Sequence, residues 1–207
     1  MRSEASLKGS SARLWKLVEE RAQRGADVGA IDQRIWDLFG EEWAVMFTDL
    51  AGFSRQVAKF GIIHFLQIIL EQKRLLLPVL EAHDGILIKI EADSLLVLFK
   101  KPAQALACAI EMQQKCQAAS ARTAPEEQVL LCVGLGFGRI LKIGDEDVFG
   151  HEVNIASKLG EDVAKRHEVL VTRAFHDAVE TPAGATWHEQ RVDAAGEDVC
   201  WRLEYRR

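Results

Sequence analysis

The sequence lacks a long uninterrupted apolar stretch and any paired-cysteine motif. Its apolar run over residues 62–70 is interrupted by His64 and Gln67 and is too short to cross a bilayer. The N-terminus is charged and mixed, which does not fit a signal peptide. The four cysteines are scattered without a CxxC pair or a metal-type Cys/His spacing, so we expect buried free thiols in a reducing compartment. These absences favour a cytoplasmic protein without a membrane segment.

The chain also lacks an excess of positive charge. It carries 26 Lys and Arg against 31 Asp and Glu, which gives a formal net charge of −5. Because a nucleic-acid binder usually presents a basic face, we expect no nucleic-acid partner. A phosphate site stays open, since it needs only a few local cations. The length of 207 residues fits one domain with at most a small appendage.

Two short helical patterns open the chain, after residues 1–8, which we expect to be disordered. The first runs from about Ser10 to Arg24 and the second from Asp27 to Phe39, and each ends at a glycine. We therefore assign residues 1–40 to an N-terminal helical segment and residues 41–207 to the main domain. We favour a helical hairpin packed on the main domain over a dimerisation or signal-input segment.

The main domain begins with the order strand, helix, strand, strand, helix, strand. Strand patterns cover 43–48, 86–90, 95–99 and 129–138, and helical patterns cover 54–83 and 102–119. Gly61 is expected to bend the first of these helices, and Pro78 to kink or restart it. A charged hairpin or loop (142–149), a helix (151–165), a strand (168–172), a short helix (173–179) and a closing hairpin (187–192 with 199–204) follow. This order predicts an α+β fold, a ferredoxin-like βαββαβ core with a C-terminal αβ extension.

Glycines alternate with other residues in the strand pattern over 129–138, at Gly134, Gly136 and Gly138. A GxGxG sequence is also found in dinucleotide-binding turns, but those turns open a helix and none follows here. We expect these glycines to permit a close backbone approach or a bend.

An acidic residue ends the first predicted strand, where Thr48-Asp49 meets Ala51-Gly52. A carboxylate there can hold a hard cation, and the free N–H groups of the next helix can face anionic oxygens. Asp93 lies in the turn of the predicted hairpin and can reach the same end of the sheet. Two close carboxylates repel each other unless a cation lies between them, and two cations so bridged suit an in-line displacement at phosphorus. An ordinary strand–loop–helix junction and an ordinary hairpin-turn Asp are the alternatives.

Three stretches in this order resemble the class III nucleotidyl cyclases. The resemblance covers roughly residues 43–179. The stretches are Phe47-Thr48-Asp49-Leu50-Ala51-Gly52-Phe53, then Gly85 with Lys89-Ile90-Glu91-Ala92-Asp93, then Asp147-Val148-Phe149-Gly150-His151-Glu152-Val153-Asn154-Ile155-Ala156-Ser157-Lys158-Leu159.

The resemblance implies a phosphate side and a base side of one active site. On the phosphate side, Asp49 and Asp93 would hold two Mg²⁺ or Mn²⁺ ions, with Leu50 beside them. The backbone that would approach the triphosphate belongs to Leu50, Ala51, Gly52 and Phe53. On the base side, Lys89 and Asp147 would read adenine, because a Lys donor suits its ring nitrogen and an Asp acceptor suits its exocyclic amine.

The remaining implied residues are Asn154, which would position the ribose, and Lys158, which would stabilise the transition state. In the family the two metal aspartates come from one subunit, and the counterparts of Lys89, Asp147, Asn154 and Lys158 come from the other. The resemblance therefore implies a head-to-tail homodimer that binds ATP. Ser157, Glu161 and Asp162 lie nearby, and we favour helix-surface roles for them over binding or shaping the ligand.

Two positions depart from the family pattern. Lys158 stands where an arginine is usual, and a point charge binds phosphate oxygens with looser geometry than a guanidinium fork. Ala92 stands where a glycine is usual, and it would be strained if the turn needs a positive φ. We therefore predict an adenylate cyclase that is weakly active or specially regulated. The alternatives are a degenerate, non-catalytic regulatory or nucleotide-binding module, and a guanylate cyclase.

Overall fold

The computed structural model describes residues 9–205, so the predicted disorder of residues 1–8 lies outside the described residues. Within that range one sheet contains eight strands. They are β1 (Gly40–Leu50), β2 (Ile86–Glu91), β3 (Ser94–Phe99), β4 (Leu131–Ile143), β5 (Asp147–Phe149), β6 (Val169–Val171), β7 (Thr186–Ala194) and β8 (Glu197–Glu204). The order across the sheet is β2-β3-β1-β4-β6-β8-β7, and β5 pairs with the end of β4.

The helices of the described residues pack on this sheet. They are α1 (Gly9–Arg21), α2 (Val28–Phe39), α3 (Phe53–Phe60), α4 (Ile62–Ala82), α5 (Pro102–Ser120), α6 (His151–Lys158) and α7 (Arg173–Asp177), with a 3₁₀ turn at Pro125–Glu127 and a π-helical turn at Leu159–Val163. None of these helices is long and apolar enough to span a membrane.

The first four strands lie in the order β2-β3-β1-β4, and β1 pairs antiparallel with both β3 and β4. With α4 following β1 and α5 following β3, this is the predicted ferredoxin-like βαββαβ core. The later strands β6, β8 and β7 extend the sheet beyond β4 as the predicted C-terminal extension. The α+β fold predicted from the sequence is confirmed.

Alternation along β1 assigns its side chains to two faces of the sheet. Ala44 and Met46 belong to the main core under α4 and α5, whereas Trp43 and Val45 pack with α6 on the opposite face. Asp49 is an even number of residues away from Trp43 and Val45, so its side chain lies on the same face as theirs. The end of β1 therefore presents its carboxylate on the face that α6 and the π-helical turn cover.

The long helical pattern over residues 54–83 is two helices, separated by Gly61 at φ +86°. A residue with a positive φ cannot continue a right-handed helix, so the predicted bend is a full break. Pro78 lies inside α4, which continues through it, and the alternative of a restart there is wrong. The helix predicted over 151–165 keeps α-helical geometry only to Lys158 and then becomes the π-helical turn.

The N-terminal helices form the predicted hairpin against the main domain. Asp27 caps α2 by accepting a hydrogen bond from the Ala30 N–H at 3.0 Å. Buried side chains of both helices, among them Leu17 and Ile35, form a cluster with Ile143 at the end of β4. The packing of this hairpin is confirmed. The domain boundary at residue 40 stays a prediction.

The glycines of β4 permit a close backbone approach, as predicted. A Cβ on Gly134 would lie 2.2 Å from the Ala156 carbonyl oxygen and 2.4 Å from the Gly160 nitrogen. A Cβ on Gly160 would lie 2.9 Å from the Phe47 carbonyl oxygen. These glycines therefore let the π-helical turn rest directly on β1 and β4, next to the end of β1.

Candidate active site

Asp49 and Asp93 lie side by side at one edge of the sheet. The pairing of β1 with β3 sets Thr48 opposite Leu95, which brings Asp49 next to the β2–β3 turn. The Ser94 hydroxyl donates a 3.4 Å hydrogen bond to Asp49 Oδ1. The buried Gln72 amide of α4 donates to the Asp93 carbonyl oxygen at 2.7 Å and so holds the turn in place.

Ala92 precedes Asp93 in this turn and has a φ of +52°. This is the left-handed region, which favours glycine because a Cβ crowds the backbone there. Ala92 therefore has the positive φ at which we expected this residue to be strained. The strained residue directly precedes one of the two aspartates.

The two carboxylates are poorly compensated by the protein. Burial, followed by the negative charge of Asp93, raises the pKa of Asp49 to about 7, although a hydrogen bond from the Leu50 backbone opposes the shift. Burial also raises the pKa of Asp93 above its usual range. Asp93 is only 6% exposed, and its Oδ2 has no hydrogen-bond partner among residues 9–205.

These properties fit a divalent cation. A cation between the carboxylates would remove their repulsion and satisfy the orphaned oxygen. Within residues 9–205, no group of three or more His, Cys, Asp or Glu side chains is arranged to hold a metal. Mg²⁺ is commonly bound by one or two carboxylates together with substrate phosphates and water, so a two-carboxylate site suits it.

A cavity of about 980 Å³ opens in front of Asp49. The turn at residues 50–53, where Gly52 has a φ of +91°, lines one side of it. Three cationic residues, Lys59, Lys165 and Arg166, line it as well. Our sequence interpretation missed these cations. The consecutive Lys165-Arg166 after the α6 pattern was the available signal.

A second, smaller pocket of about 180 Å³ contains Lys89 and Asp147. Their side chains form an ion pair at 2.8 Å, and Asp147 also accepts a 2.9 Å hydrogen bond from the Val148 N–H. Each side chain is about one-third exposed, at 35% and 33%. Phe47 and Leu96 add apolar walls. The structure thus brings together, from β2 and β5, the two residues that the resemblance pairs.

Asn154 and Lys158 lie on α6, exposed, and line neither cavity. Lys158 forms a 2.6 Å ion pair with Asp162 of its own chain, and this hydrogen bond raises the pKa of Lys158 above its usual value. The implied ribose- and phosphate-binding side chains are therefore apart from the cavity of Asp49 in the same chain.

The position of Glu161 differs from the helix-surface position that we expected. It is exposed on the π-helical turn and lines both the cavity of Asp49 and the pocket of Lys89 and Asp147. Its charge also contributes to the raised pKa values of Asp49 and Asp93. The regular helix predicted over 151–165 concealed this position, because the extra residue of a π turn changes which side chains share a face.

A sequence model described as the adenylate and guanylate cyclase catalytic domain matches residues 40–203. The chain belongs to this family. It is 31% identical over 137 residues to putative adenylate cyclase 3 of Rhizobium meliloti (strain 1021), a match that covers 66% of this chain and 23% of that protein. The chain spans less than a quarter of the length of the curated relatives it matches.

Solved cyclase structures share the fold of this cyclase domain. The adenylate/guanylate cyclase/hydrolase from Silicibacter pomeroyi superposes with a TM-score of 0.68 at 23% identity, covering 81% of this chain and 98% of that one. The adenylyl cyclase CyaB from P. aeruginosa gives 0.67 at 16% identity, covering 81% and 96%. The family predicted from the three sequence stretches is therefore confirmed, and the fold is common to cyclases named for either nucleotide.

Proposed function

We propose that this cyclase domain converts ATP to 3′,5′-cyclic AMP and pyrophosphate at the interface of a head-to-tail homodimer. The observation that carries the proposal is that one chain holds both halves of a site: the adjacent carboxylates of Asp49 and Asp93, and the Lys89–Asp147 pair. Residues 41–207 would form the catalytic unit, with residues 1–40 as an appended helical segment.

Asp49 and Asp93, with the Leu50 backbone beside them, would hold two Mg²⁺ or Mn²⁺ ions. Such ions, when bound, neutralise phosphate charge and acidify the ribose 3′-hydroxyl. The turn at residues 50–53 lines the same cavity. The Ala51 N–H donates to the Leu130 carbonyl oxygen at 2.9 Å, so the free N–H groups at the start of α3 are the ones that suit phosphate oxygens. Lys165 and Arg166 add positive charge there, which suits the outer phosphates of a triphosphate.

Lys89 and Asp147 would select the base. The Lys89 ammonium donates to the adenine ring nitrogen, and the Asp147 carboxylate accepts from the exocyclic amine. Their mutual ion pair holds both groups in the pocket before a nucleotide arrives. Guanine offers the opposite pattern of donor and acceptor, so this pair favours ATP over GTP.

The dimer would complete each site with Lys89, Asp147, Asn154 and Lys158 of the other chain. In the reaction the ribose 3′-hydroxyl releases its proton to water and O3′ forms a bond to the α-phosphorus, while the bond from that phosphorus to the bridging oxygen breaks and pyrophosphate leaves. Asn154 would orient the ribose, and Lys158 would stabilise the charge that develops on the phosphate oxygens. Apolar side chains at helical spacing on α4, Ile63, Leu66 and Leu70, are exposed and suit a contact between chains.

Product analysis with ATP and GTP in parallel tests this function. Purified protein with Mn²⁺ is expected to form cyclic AMP from ATP, with much less cyclic GMP from GTP. Asp49→Asn is expected to abolish the activity, whereas Asp145→Asn, an exposed acid in the turn before β5, retains it. Absence of cyclic AMP at high protein concentration, where dimers form, would contradict the proposal. Cyclic GMP as the main product would establish the guanylate cyclase alternative instead.

One observation favours a non-catalytic nucleotide-binding module. Lys158, already a substitute for the usual arginine, is held by Asp162 of its own chain. Thermal stabilisation by ATP without turnover would support such a module. Lys158→Arg separates the two candidates, because a large gain in rate would reveal an otherwise competent site.

A further inference from the structure

Glu161 is held over the end of β1 by the backbone of the π-helical turn. Gly160 packs against the Phe47 carbonyl and against the Gly134 nitrogen, so the next residue lies close to the strand end that carries Asp49. Because side chains alternate between the two faces along β1, the Asp49 side chain lies on this same face of the sheet. The Ser157 hydroxyl donates a 2.5 Å hydrogen bond to Glu161 Oε2 and fixes the carboxylate on the turn.

Two further observations distinguish Glu161 from an ordinary surface acid. It lines the cavity of Asp49 and also the pocket of Lys89 and Asp147. Its neighbour Asp162 lines neither and pairs with Lys158 instead. The candidate cation site itself contains an unsatisfied group, since Asp93 is 6% exposed and its Oδ2 lacks a partner among the described residues.

We propose that Glu161 is a third acidic residue of the cation site, which strengthens divalent-cation binding at Asp49 and Asp93 through bound water. Direct ligation does not fit, because residues 9–205 contain no three-residue group arranged to hold a metal. A carboxylate just outside the ligand set can accept hydrogen bonds from cation-bound water and add attractive charge. The inference rests on the proposed function in one respect: that Asp49 and Asp93 hold the cation.

Groups that act behind direct ligands change metal affinity by about 10–100-fold when mutated. Removing the Glu161 charge is therefore expected to weaken Mn²⁺ binding by about tenfold or more. This loss of Mn²⁺ affinity is expected in the protein without nucleotide, because it requires neither nucleotide nor turnover. It can be measured independently of cyclase activity.

The test is a titration of the metal-free protein with Mn²⁺ alone, with free Mn²⁺ measured by electron paramagnetic resonance. Asp49→Asn is expected to abolish binding, and Glu161→Gln to weaken it by about tenfold or more. Asp162→Asn removes the same charge from the adjacent position and is the matched control, with an expected change under about threefold. Glu161→Asp keeps the charge and is expected to retain most of the affinity. Glu161 is exposed, so these variants leave the core intact.

Each outcome of this titration either supports or contradicts the role of Glu161. Glu161→Gln affinity within about twofold of wild type, or an equal loss in Asp162→Asn, overturns the role of Glu161 while leaving the proposed function standing. If Asp49→Asn binds Mn²⁺ as tightly as wild type, Asp49 does not hold the cation and both proposals are wrong. Weakened Mn²⁺ binding by Glu161→Gln in a protein that forms no cyclic nucleotide supports the role of Glu161 and rejects the catalytic function.

Discussion

Ala92 carries a backbone conformation that its side chain disfavours. Its φ of +52° costs an L-residue about 1–2 kcal/mol relative to glycine. Glycine in turn gives the unfolded chain more freedom, which offsets about 0.4–1 kcal/mol. We therefore predict that Ala92→Gly increases the free energy of unfolding by about 0.5–1 kcal/mol. Urea unfolding followed by circular dichroism measures the difference.

A matched control lies in the β7–β8 turn. Ala195 has a φ of +53°, nearly the same as Ala92, far along the chain from the candidate site. Ala195→Gly is expected to give a gain of similar size. If Ala195→Gly stabilises the protein and Ala92→Gly does not, contacts of the Ala92 methyl group compensate the strain, and the explanation from backbone geometry is wrong for this turn.

Single residues of the site were predictable to different degrees. Asp49 and Asp93 followed from their places at a strand end and in a hairpin turn, because the ferredoxin-like order brings those places together. Pairing Lys89 with Asp147 required the family resemblance, since 58 residues separate them. Lys165 and Arg166 were missed because their position depends on where the π-helical turn ends.

At the scale of elements, the contact between β4 and the π-helical turn positions the site. A Cβ at Gly134 would meet only backbone atoms, at 2.2 Å and 2.4 Å, and backbone cannot rotate away. We predict that Gly134→Ala lowers the free energy of unfolding by about 1–3 kcal/mol or more, as overpacked cores do. It is also expected to displace the π-helical turn from β1, which weakens Mn²⁺ binding together with stability.

Gly138→Ala on the same strand is the control. Its nearest obstacle is Glu152 Cγ at 3.1 Å, a side-chain atom that has to move by only a few tenths of an ångström, although the Glu152 carboxylate is held by the Phe137 N–H and the Thr172 hydroxyl. We expect a loss below about 1 kcal/mol in the same urea measurement. Equal losses for the two variants would mean that the backbone contact at Gly134 has no special role.

The element order was predictable because periodicity and turn residues agree along most of the chain. The strands β2 and β3 and the helix α5 begin and end within about one residue of their predicted bounds. Two helices differ for physical reasons. Gly61 takes a positive φ that breaks the helix, and Gly160 packs against β1 so closely that α6 leaves α-helical geometry. Both depend on tertiary contacts or backbone angles that hydrophobic spacing does not report.

At the scale of the whole molecule, one chain separates groups that the proposed reaction must combine. Asn154 and Lys158 are exposed and line neither cavity, whereas Asp49 lies within one of them. A second chain in head-to-tail arrangement would bring these groups together. The sequence contained both halves, but their separation within one chain became visible only in the structure.

This arrangement predicts that two inactive variants restore each other. Asp49→Asn damages the cation half and Asn154→Ala damages the ribose half. In a mixed dimer one of the two sites therefore contains only intact residues. Random assembly of equal amounts gives about half mixed dimers, so activity should return to about a quarter of wild type. Cyclic AMP formation by the separate and mixed proteins measures it.

The control mixes Asp49→Asn with Asp93→Asn. Both changes damage the same half, so every site in every dimer contains a defect and no activity should return. Recovery in the first mixture alone requires that Asn154 acts on the nucleotide bound at the other chain's aspartates. Recovery in neither mixture, with dimers present by sedimentation, would mean that each chain completes its own site. In that case α6 would have to move toward the cavity of Asp49, and the Lys158–Asp162 ion pair would have to open within the chain.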